Sequence, residues 1–379
     1  MKAVVWHGKE DVRVDNVRDP RIEAATDAIV RITSTAICGS DLHLYSQLGP
    51  ALKEGDIIGH EPMGVVEEVG TEVEHIAPGD RVVIPFNISC GSCWMCERDL
   101  YSQCETTQNR KWKKGASLFG YTHLYGGVPG AQAEYLRVPM AHFGPIKVPE
   151  GPPDTRFLFL SDVLPTAWQA VEYADVPAGG VVGVWGLGPI GQMVTRIALL
   201  RGAGRVLGID QVPERLAMAQ RHGVETIDFG AVDDVPELVR DLTDGRGVDS
   251  AVDAVGMEAE ASIVGRTLQN LKLMPDRLGA LVSAARSVRR GGTLSLAGVY
   301  VGAVPMLPLG ELFDRQIAIR MGQANVRRWT DALMPLLGED DPLGTSDLAT
   351  HTLALDRAPH GYDIFQRKAD GAIKVVLQP

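Results

Sequence analysis

The chain has 379 residues, 45% of them hydrophobic and 22% charged, a balance that excludes a disordered or fibrous protein. At ~150 residues per domain the length predicts two domains. Lys and Arg number 37 against 48 Asp and Glu, a net charge of −11, and the longest basic block is the short Lys111–Lys114 stretch, so neither nucleic acid nor an anionic membrane is an expected partner.

Met1–Arg13 lacks the apolar run and small-residue cleavage site of an export signal, and no window approaches the ~20 apolar residues of a membrane span, so a cytoplasmic protein is expected. Short β-branched runs at Ala3–Trp6, Ala28–Ile37, Gly64–Val69 and Arg81–Pro85, separated by Gly, Pro and Asp, predict a β-rich first unit. Within it, Cys38-Gly39-Ser40-Asp41-Leu42-His43 and Gly59-His60-Glu61-Pro62 bring a thiol, imidazoles and carboxylates some twenty residues apart. Taken alone, these are as compatible with a small buried cysteine and a satisfied structural histidine as with a reactive site.

The chain has five cysteines, four of which (Cys90, Cys93, Cys96, Cys104) fall within fifteen positions. An odd total with no export signal argues against a disulfide scaffold. The spacing Cys90-x2-Cys93-x2-Cys96-x7-Cys104 puts four thiols on one loop, which is the donor set of a tetrahedral zinc at ~2.3 Å. A thioredoxin-type pair would need a helix N-terminus that is absent, and an iron–sulfur cluster has no evident electron-transfer partner. With every position filled by protein, such a zinc is expected to hold the lobe together rather than to react.

Pro145, Pro149, Gly151, Pro152 and Pro153 interrupt the chain and set a boundary near residue 153. Beyond it, runs that read as buried strands (Val181–Trp185, Arg205–Asp210, Glu225–Ile227, Ser250–Val255, Thr293–Ala297) alternate with helical periods (Pro189–Leu200, Pro213–His222, Val235–Asp241, Glu258–Arg290). That alternation predicts a parallel, doubly wound sheet. Gly186-Leu187-Gly188-Pro189-Ile190-Gly191 follows the first of these strands and opens the first helix. In a dinucleotide-binding unit the first glycine makes the turn, the second admits a pyrophosphate, and the third lets helix pack on strand. Asp210, nineteen residues after Gly191, is placed to accept hydrogen bonds from an adenosine ribose and to repel a 2′-phosphate, which favours NAD over NADP. Arg215 either lies against the adenine or is a solvated helix charge. The tail ends in a strand expected at Ala372–Leu377, docked back onto the first unit.

Together, Cys38-Gly-Ser-Asp-x-x-His43, Gly59-His60-Glu61, the four-cysteine lobe and Gly186–Gly191 resemble the zinc-dependent medium-chain alcohol dehydrogenases over nearly the whole chain. Ser161-Asp162-Val163-Leu164-Pro165-Thr166 and Arg320-Met321-Gly322-Gln323 are similar to the formaldehyde-dehydrogenase-like subgroup. The resemblance implies an α/β protein: a GroES-like β-rich catalytic domain (1–153 and 323–379) carrying the lobe (90–104), and a doubly wound Rossmann domain (154–322). It implies two zinc ions per chain, the catalytic one held by Cys38, His60 and Asp162 where many relatives have a third Cys, with Glu61 as an alternating ligand. A fourth, open position would make that zinc a Lewis acid toward a hydroxyl, and hydride would pass to NAD.

Ser40 and His43 would relay the released proton, and Asp41 would orient His60. By the same resemblance Thr166, Val255 and Gln323 border the nicotinamide, and Lys374 meets the pyrophosphate unless it is an exposed strand lysine. In the loop Arg110–Gly130, Phe119, Tyr121 and His123 either shape the substrate pocket or belong to mobile surface. The remaining histidines, His7, His75, His142, His222, His351 and His360, read as structural or surface residues. The expected partner is a small alcohol or aldehyde, and the family implies a homo-oligomer, dimeric or tetrameric. Three alternatives accompany this reading: a polyol or threonine-type dehydrogenase, an aldehyde dismutase, and a non-catalytic cofactor-binding protein on the same fold.

Overall fold

The structure is a computed structural model and describes residues 1–46, 51–256, 279–300 and 307–379. Two units emerge, one of Met1–Pro165 with Ala324–Pro379 and one of Thr166–Gln323. In the first, β1 (Lys2–Gly8) and β2 (Asp11–Asn16) pair as an antiparallel hairpin. β3 (Ala28–Ile37), β4 (Glu61–Val69), β5 (Arg81–Val83), β6 (Tyr135–Val138) and β7 (Ile146–Lys147) build most of a larger sheet. β3 is central, and of its ten residues only Arg31 is exposed, which is why a near-continuous run of β-branched residues codes for it. Its apolar side chains enter two cores, one around Val30, Ile32, Val66 and Leu136, the other around Ile37, Leu42, Ile58 and Tyr362. Burying each large apolar side chain contributes ~1.5–3 kcal/mol.

The second unit is an all-parallel sheet of β8 (Val181–Trp185), β9 (Arg205–Asp210), β10 (Glu225–Asp228), β11 (Val248–Asp253), β12 (Val288–Leu296) and β13 (Ala318–Met321), in the order β10-β9-β8-β11-β12-β13. The order reverses between β8 and β11, the crevice position at which doubly wound sheets bind ligands. The helices Pro189–Leu200 and Val235–Asp241 run as expected, each with Pro in its first turn. β11 ends at Asp253 rather than Val255, because the Asp253 carboxylate accepts the Val255 N–H and folds the chain over. The helix expected at Glu258–Arg290 lies partly outside the described residues; its described part, Gly279–Ser287, stops before Arg290 because Val288 is already paired with Val248 in the sheet.

The chain then returns to the first unit. β14 (His351–Ala354) and β15 (Val375–Gln378) complete its sheet, with β15 antiparallel to β3. The last strand starts at Val375 and not at Ala372, since Lys374 is drawn inward to a buried partner.

Candidate active site

Strand register assembles the first cluster. β3 and β4 pair so that Ala36 faces Glu61, which sets Cys38, just past the end of β3, beside His60, just before the start of β4. Val375 faces Ile37 from the other side, so Lys374 arrives next to both. Asp162 follows the buried turn Leu158–Ser161, which is tied to the sheet by Phe86 N–H donating to Ser161 O at 3.1 Å. One ligand atom from each of Cys38, His60, Glu61 and Asp162 lies within 4.8 Å of all the others, and all four residues are buried. Asp162 Oδ2 is 3.5 Å from Cys38 Sγ and 3.3 Å from His60 Nε2.

Around these four the supporting contacts are close. Asp41 Oδ2 accepts the Cys38 N–H at 2.9 Å, and Asp41 Oδ1 lies 3.0 Å from His60 Nδ1 in a contact too bent for a full hydrogen bond. Ser40 Oγ sits 3.2 Å from His60 Nε2, and His43, one turn further along the helix Gly39–Ser46, is buried. Lys374 Nζ donates to Glu61 Oε1 at 2.6 Å and to Ile37 O at 3.1 Å, and both side chains are wholly buried. Lys374 is therefore neither an exposed strand lysine nor, with its ammonium buried against Glu61 and Ile37 O, the pyrophosphate contact that the resemblance implied.

Burial pushes the Cys38 thiol up to about 11, with the Glu61 and Asp162 charges adding to the rise. Burial also raises Glu61 against the opposing pull of Lys374. In His60 burial favours the neutral ring, yet the Asp41 charge and the close acceptors Asp162, Asp41 and Cys38, which favour the protonated ring, outweigh it and hold the pKa well above its usual value. The Cys38 thiol, the His60 ring and the carboxyl groups of Asp41, Glu61 and Asp162 are thus crowded together beside the buried Lys374 ammonium, and Glu61 Oε2 is buried with no hydrogen-bond partner. Four buried ligand atoms this close together, one carboxylate oxygen among them orphaned, suit a cation that would displace the thiol and imidazole protons, and a sulfur, nitrogen and oxygen donor set fits zinc.

The lobe is a second cluster. Its four cysteines also offer ligand atoms within 4.8 Å of one another, with Cys93 and Cys104 sulfurs 3.9 Å apart. For Cys90, burial alone would raise the pKa, but the Thr106 hydroxyl at 3.1 Å and the backbone N–H groups of Ser92 and Cys93 bring it down to about 6. Donors of this kind stabilise thiolates and turn the sulfurs inward. The set contains four cysteines and no other donor type, so a tetrahedral zinc here would be closed.

The glycine turn shows two kinds of requirement. Gly186 has φ +88° and a Cβ there would lie 2.6 Å from Val255, while a Cβ on Gly191 would lie 1.8 Å from Gly186 O. Both glycines are needed by the protein itself. At Gly188 a Cβ would meet, among the described residues, only Arg215, at 3.9 Å, which leaves space for a phosphate to approach the uncapped helix start. Asp210 Oδ2 accepts the Leu187 N–H at 2.7 Å, and Oδ1 accepts those of Gln211 and Val212 at 2.8 and 3.0 Å. Arg215 lies 3.7 Å from Asp210 with its side chain 12% exposed, which excludes the reading as a solvated helix charge. Pro189 and Ile190 form the first turn of the helix, Thr166 lies in the first turn of Val163–Ala174, and Gln323 O accepts from Gln169.

The loop Arg110–Gly130 is fastened at several points: Phe119 is core, His123 pairs with Asp56 at 2.9 Å, and Tyr121 packs on the cluster containing Ile37 and Leu42. Sequence reading missed Gln132 and Tyr362, both wholly buried beside Asp41, and missed the Lys374–Glu61 pair. No local pattern marks them.

Residues 24–150 match the family described as alcohol dehydrogenase GroES-like domain, and residues 189–270 match zinc-binding dehydrogenase. An uncharacterized zinc-type alcohol dehydrogenase-like protein of Bacillus subtilis (strain 168) is 44% identical, with all of both chains covered. The formaldehyde dismutase of Pseudomonas putida is 32% identical over 100% of this chain and 97% of its own. Among solved structures, an alcohol dehydrogenase of Thermus sp. ATN1 superposes with a TM-score of 0.83 at 36% identity, covering 100% of this chain and 99% of that one.

Proposed function

The chain belongs to the zinc-dependent medium-chain alcohol dehydrogenase family, and from that premise we propose that it oxidises a primary alcohol or a hydrated aldehyde with NAD as hydride acceptor. The observation that carries this reading is the buried Cys38–His60–Glu61–Asp162 cluster with its orphaned Glu61 oxygen. Cys38, His60 and Asp162 hold the metal, and Glu61, steered by Lys374, stands ready as an alternate ligand. Bound there, zinc supplies the Lewis acidity that lowers the pKa of a substrate hydroxyl, and the nicotinamide supplies the hydride acceptor. Ser40 Oγ accepts the hydroxyl proton as it gives up its own to the nicotinamide ribose, and His43, a turn further on, takes a proton from that ribose and passes it outward. Asp41 fixes the His60 ring, and Cys90, Cys93, Cys96 and Cys104 hold a second, structural zinc.

In the second unit, Gly186, Gly188 and Gly191 with Pro189 and Ile190 cradle the pyrophosphate, Asp210 receives the ribose, and Arg215 closes over the same end. Thr166, Val255 and Gln323 border the nicotinamide. The Asp210 carboxylate, already held by backbone N–H groups, supports NAD over its 2′-phosphorylated form. The relation to a formaldehyde dismutase supports small aldehydes as a substrate class. Exposed Leu309, Phe313 and Met321 on and beside β13, which pairs on one side only among the described residues, support a homo-oligomer.

The test is NADH formation followed across primary alcohols, polyols, threonine and aldehydes, with and without glutathione. Turnover of a primary alcohol or a hydrated aldehyde without glutathione is the expected result. Activity confined to polyols or threonine, or a requirement for glutathione, would overturn the substrate class.

A further inference from the structure

Asp41 Oδ1 lies 3.0 Å from Nδ1, the far nitrogen of His60, so whatever holds Asp41 also sets the ring. Asp41 is wholly buried and its Oδ2 accepts from two donors, Cys38 N–H at 2.9 Å and Gln132 Nε2 at 3.3 Å. Gln132 is itself locked. Its Nε2 also donates to Ala36 O at 3.3 Å, while its Oε1 accepts the Tyr362 hydroxyl at 2.9 Å. Two acceptors at one end of the amide and one hydroxyl donor at the other leave a single orientation for it.

The protein makes room for this amide at a cost in side-chain freedom elsewhere. Gly59, the residue before His60, has φ +94°, and a Cβ there would lie 2.3 Å from Gln132 Cγ. The glycine of Gly59-His60-Glu61 is thus required both by its backbone and by the side chain lying across it. Tyr362 is anchored in the core with Tyr45, its ring centroid 5.3 Å away, so the hydroxyl end of the chain cannot drift.

We propose that Tyr362 and Gln132 are positioning residues for the metal ligand His60. The hydrogen bonds all point one way, from the Tyr362 hydroxyl to Gln132 Oε1, and from Gln132 Nε2 to Asp41. Asp41 Oδ1 then lies 3.0 Å from His60 Nδ1, a close charge contact that favours the proton on Nδ1 and leaves the Nε2 lone pair directed at the cluster. The proposal rests on the assignment of His60 as a zinc ligand and extends it to residues 91 and more positions away from Asp41 in the chain.

The test uses the full chain with both zinc sites loaded and measures zinc retained against graded chelator, the lobe zinc serving as the internal report of folding. Gln132→Met loosens the catalytic zinc by ~10–100-fold, and Tyr362→Phe, which keeps the ring, by ~10-fold. The double variant is no worse than Gln132→Met, because the tyrosine acts through the amide. Lobe zinc is unchanged in all three, and kcat falls with the loosened metal while KM for NAD stays put. Zinc retention within twofold of the parent in both single variants overturns the proposal. So does multiplication of the two effects in the double variant, or loss of the lobe zinc in the same step. Failure of the underlying assignment looks different: His60→Ala would keep both zinc ions, whatever Tyr362→Phe does.

Discussion

The four-cysteine lobe and the Cys38–His60–Glu61–Asp162 cluster lie in the same unit and both suit zinc, but they are built in opposite ways. The lobe draws all its donors from one short loop, satisfies its sulfurs with nearby hydroxyl and N–H groups, and has one donor type. The other cluster draws donors from the ends of two strands and a distant turn, mixes sulfur, nitrogen and oxygen, and leaves Glu61 Oε2 without a partner. A closed set of identical ligands holds structure, whereas a mixed set with a spare carboxylate has room for exchange. Ligand count alone does not separate the two roles; the unsatisfied oxygen and the buried Lys374 do.

The largest expected effect sharpens this contrast. Cys38→Ala or His60→Ala removes a ligand from the mixed cluster and lowers kcat/KM by ~10³-fold or more, since several kcal/mol of transition-state stabilisation go with the metal. Steady-state kinetics should show this while thermal melting stays near that of the parent. The lobe should behave in reverse. Cys104→Ser costs on the order of 4 kcal/mol of stability, as loss of a structural metal does, and chemical denaturation measures it. The fraction that remains folded keeps its kcat.

The same split between scaffold and site recurs in the glycine turn. Gly188→Ala, whose Cβ meets only Arg215 among the described residues, raises the KM for NAD by ~10-fold with little change in stability, whereas Gly191→Ala, with its Cβ 1.8 Å from Gly186 O, disrupts the fold of the turn. Comparing the two variants by kinetics and melting would break the distinction if both behaved alike. The last effect is the pH dependence of metal binding. Without metal the Cys38 thiol keeps its proton up to about 11 and the His60 pKa is raised too, so zinc must displace those protons and its affinity for the mixed cluster rises with pH, by at least ~10-fold per unit between pH 6 and 8. Competition with a chelator across that range checks the slope; a flat profile would remove Cys38 from the ligand set.

Much of this was legible in the chain, and the reasons are local. The lobe is written in its cysteine spacing, and the helix Pro189–Leu200 in the glycines before it and the proline that starts it. The strands β3, β8 and β9 were readable because continuous β-branched runs are what a doubly covered strand requires. The mixed cluster was only half legible. Cys38 and His60 stand on recognisable turns, but Asp162 came from family likeness, because no spacing rule links it to residues 124 positions earlier. Lys374 was expected at the cofactor pyrophosphate from family likeness, because its buried pairing with Glu61 spans 313 positions and no local pattern announces it. Gln132 and Tyr362 left no trace at all, since a neutral amide on a β-rich segment and a tyrosine on an amphipathic helix are ordinary residues until folding places them behind Asp41.

The central claim is that the chain carries one closed and one exchangeable zinc site, and zinc analysis of the purified chain beside its Asp162→Ala variant tests it most directly. The account predicts two zinc ions per parent chain, and in the variant one zinc, at the lobe, with activity lost. A parent with one zinc ion, together with a variant of undiminished activity, would contradict it.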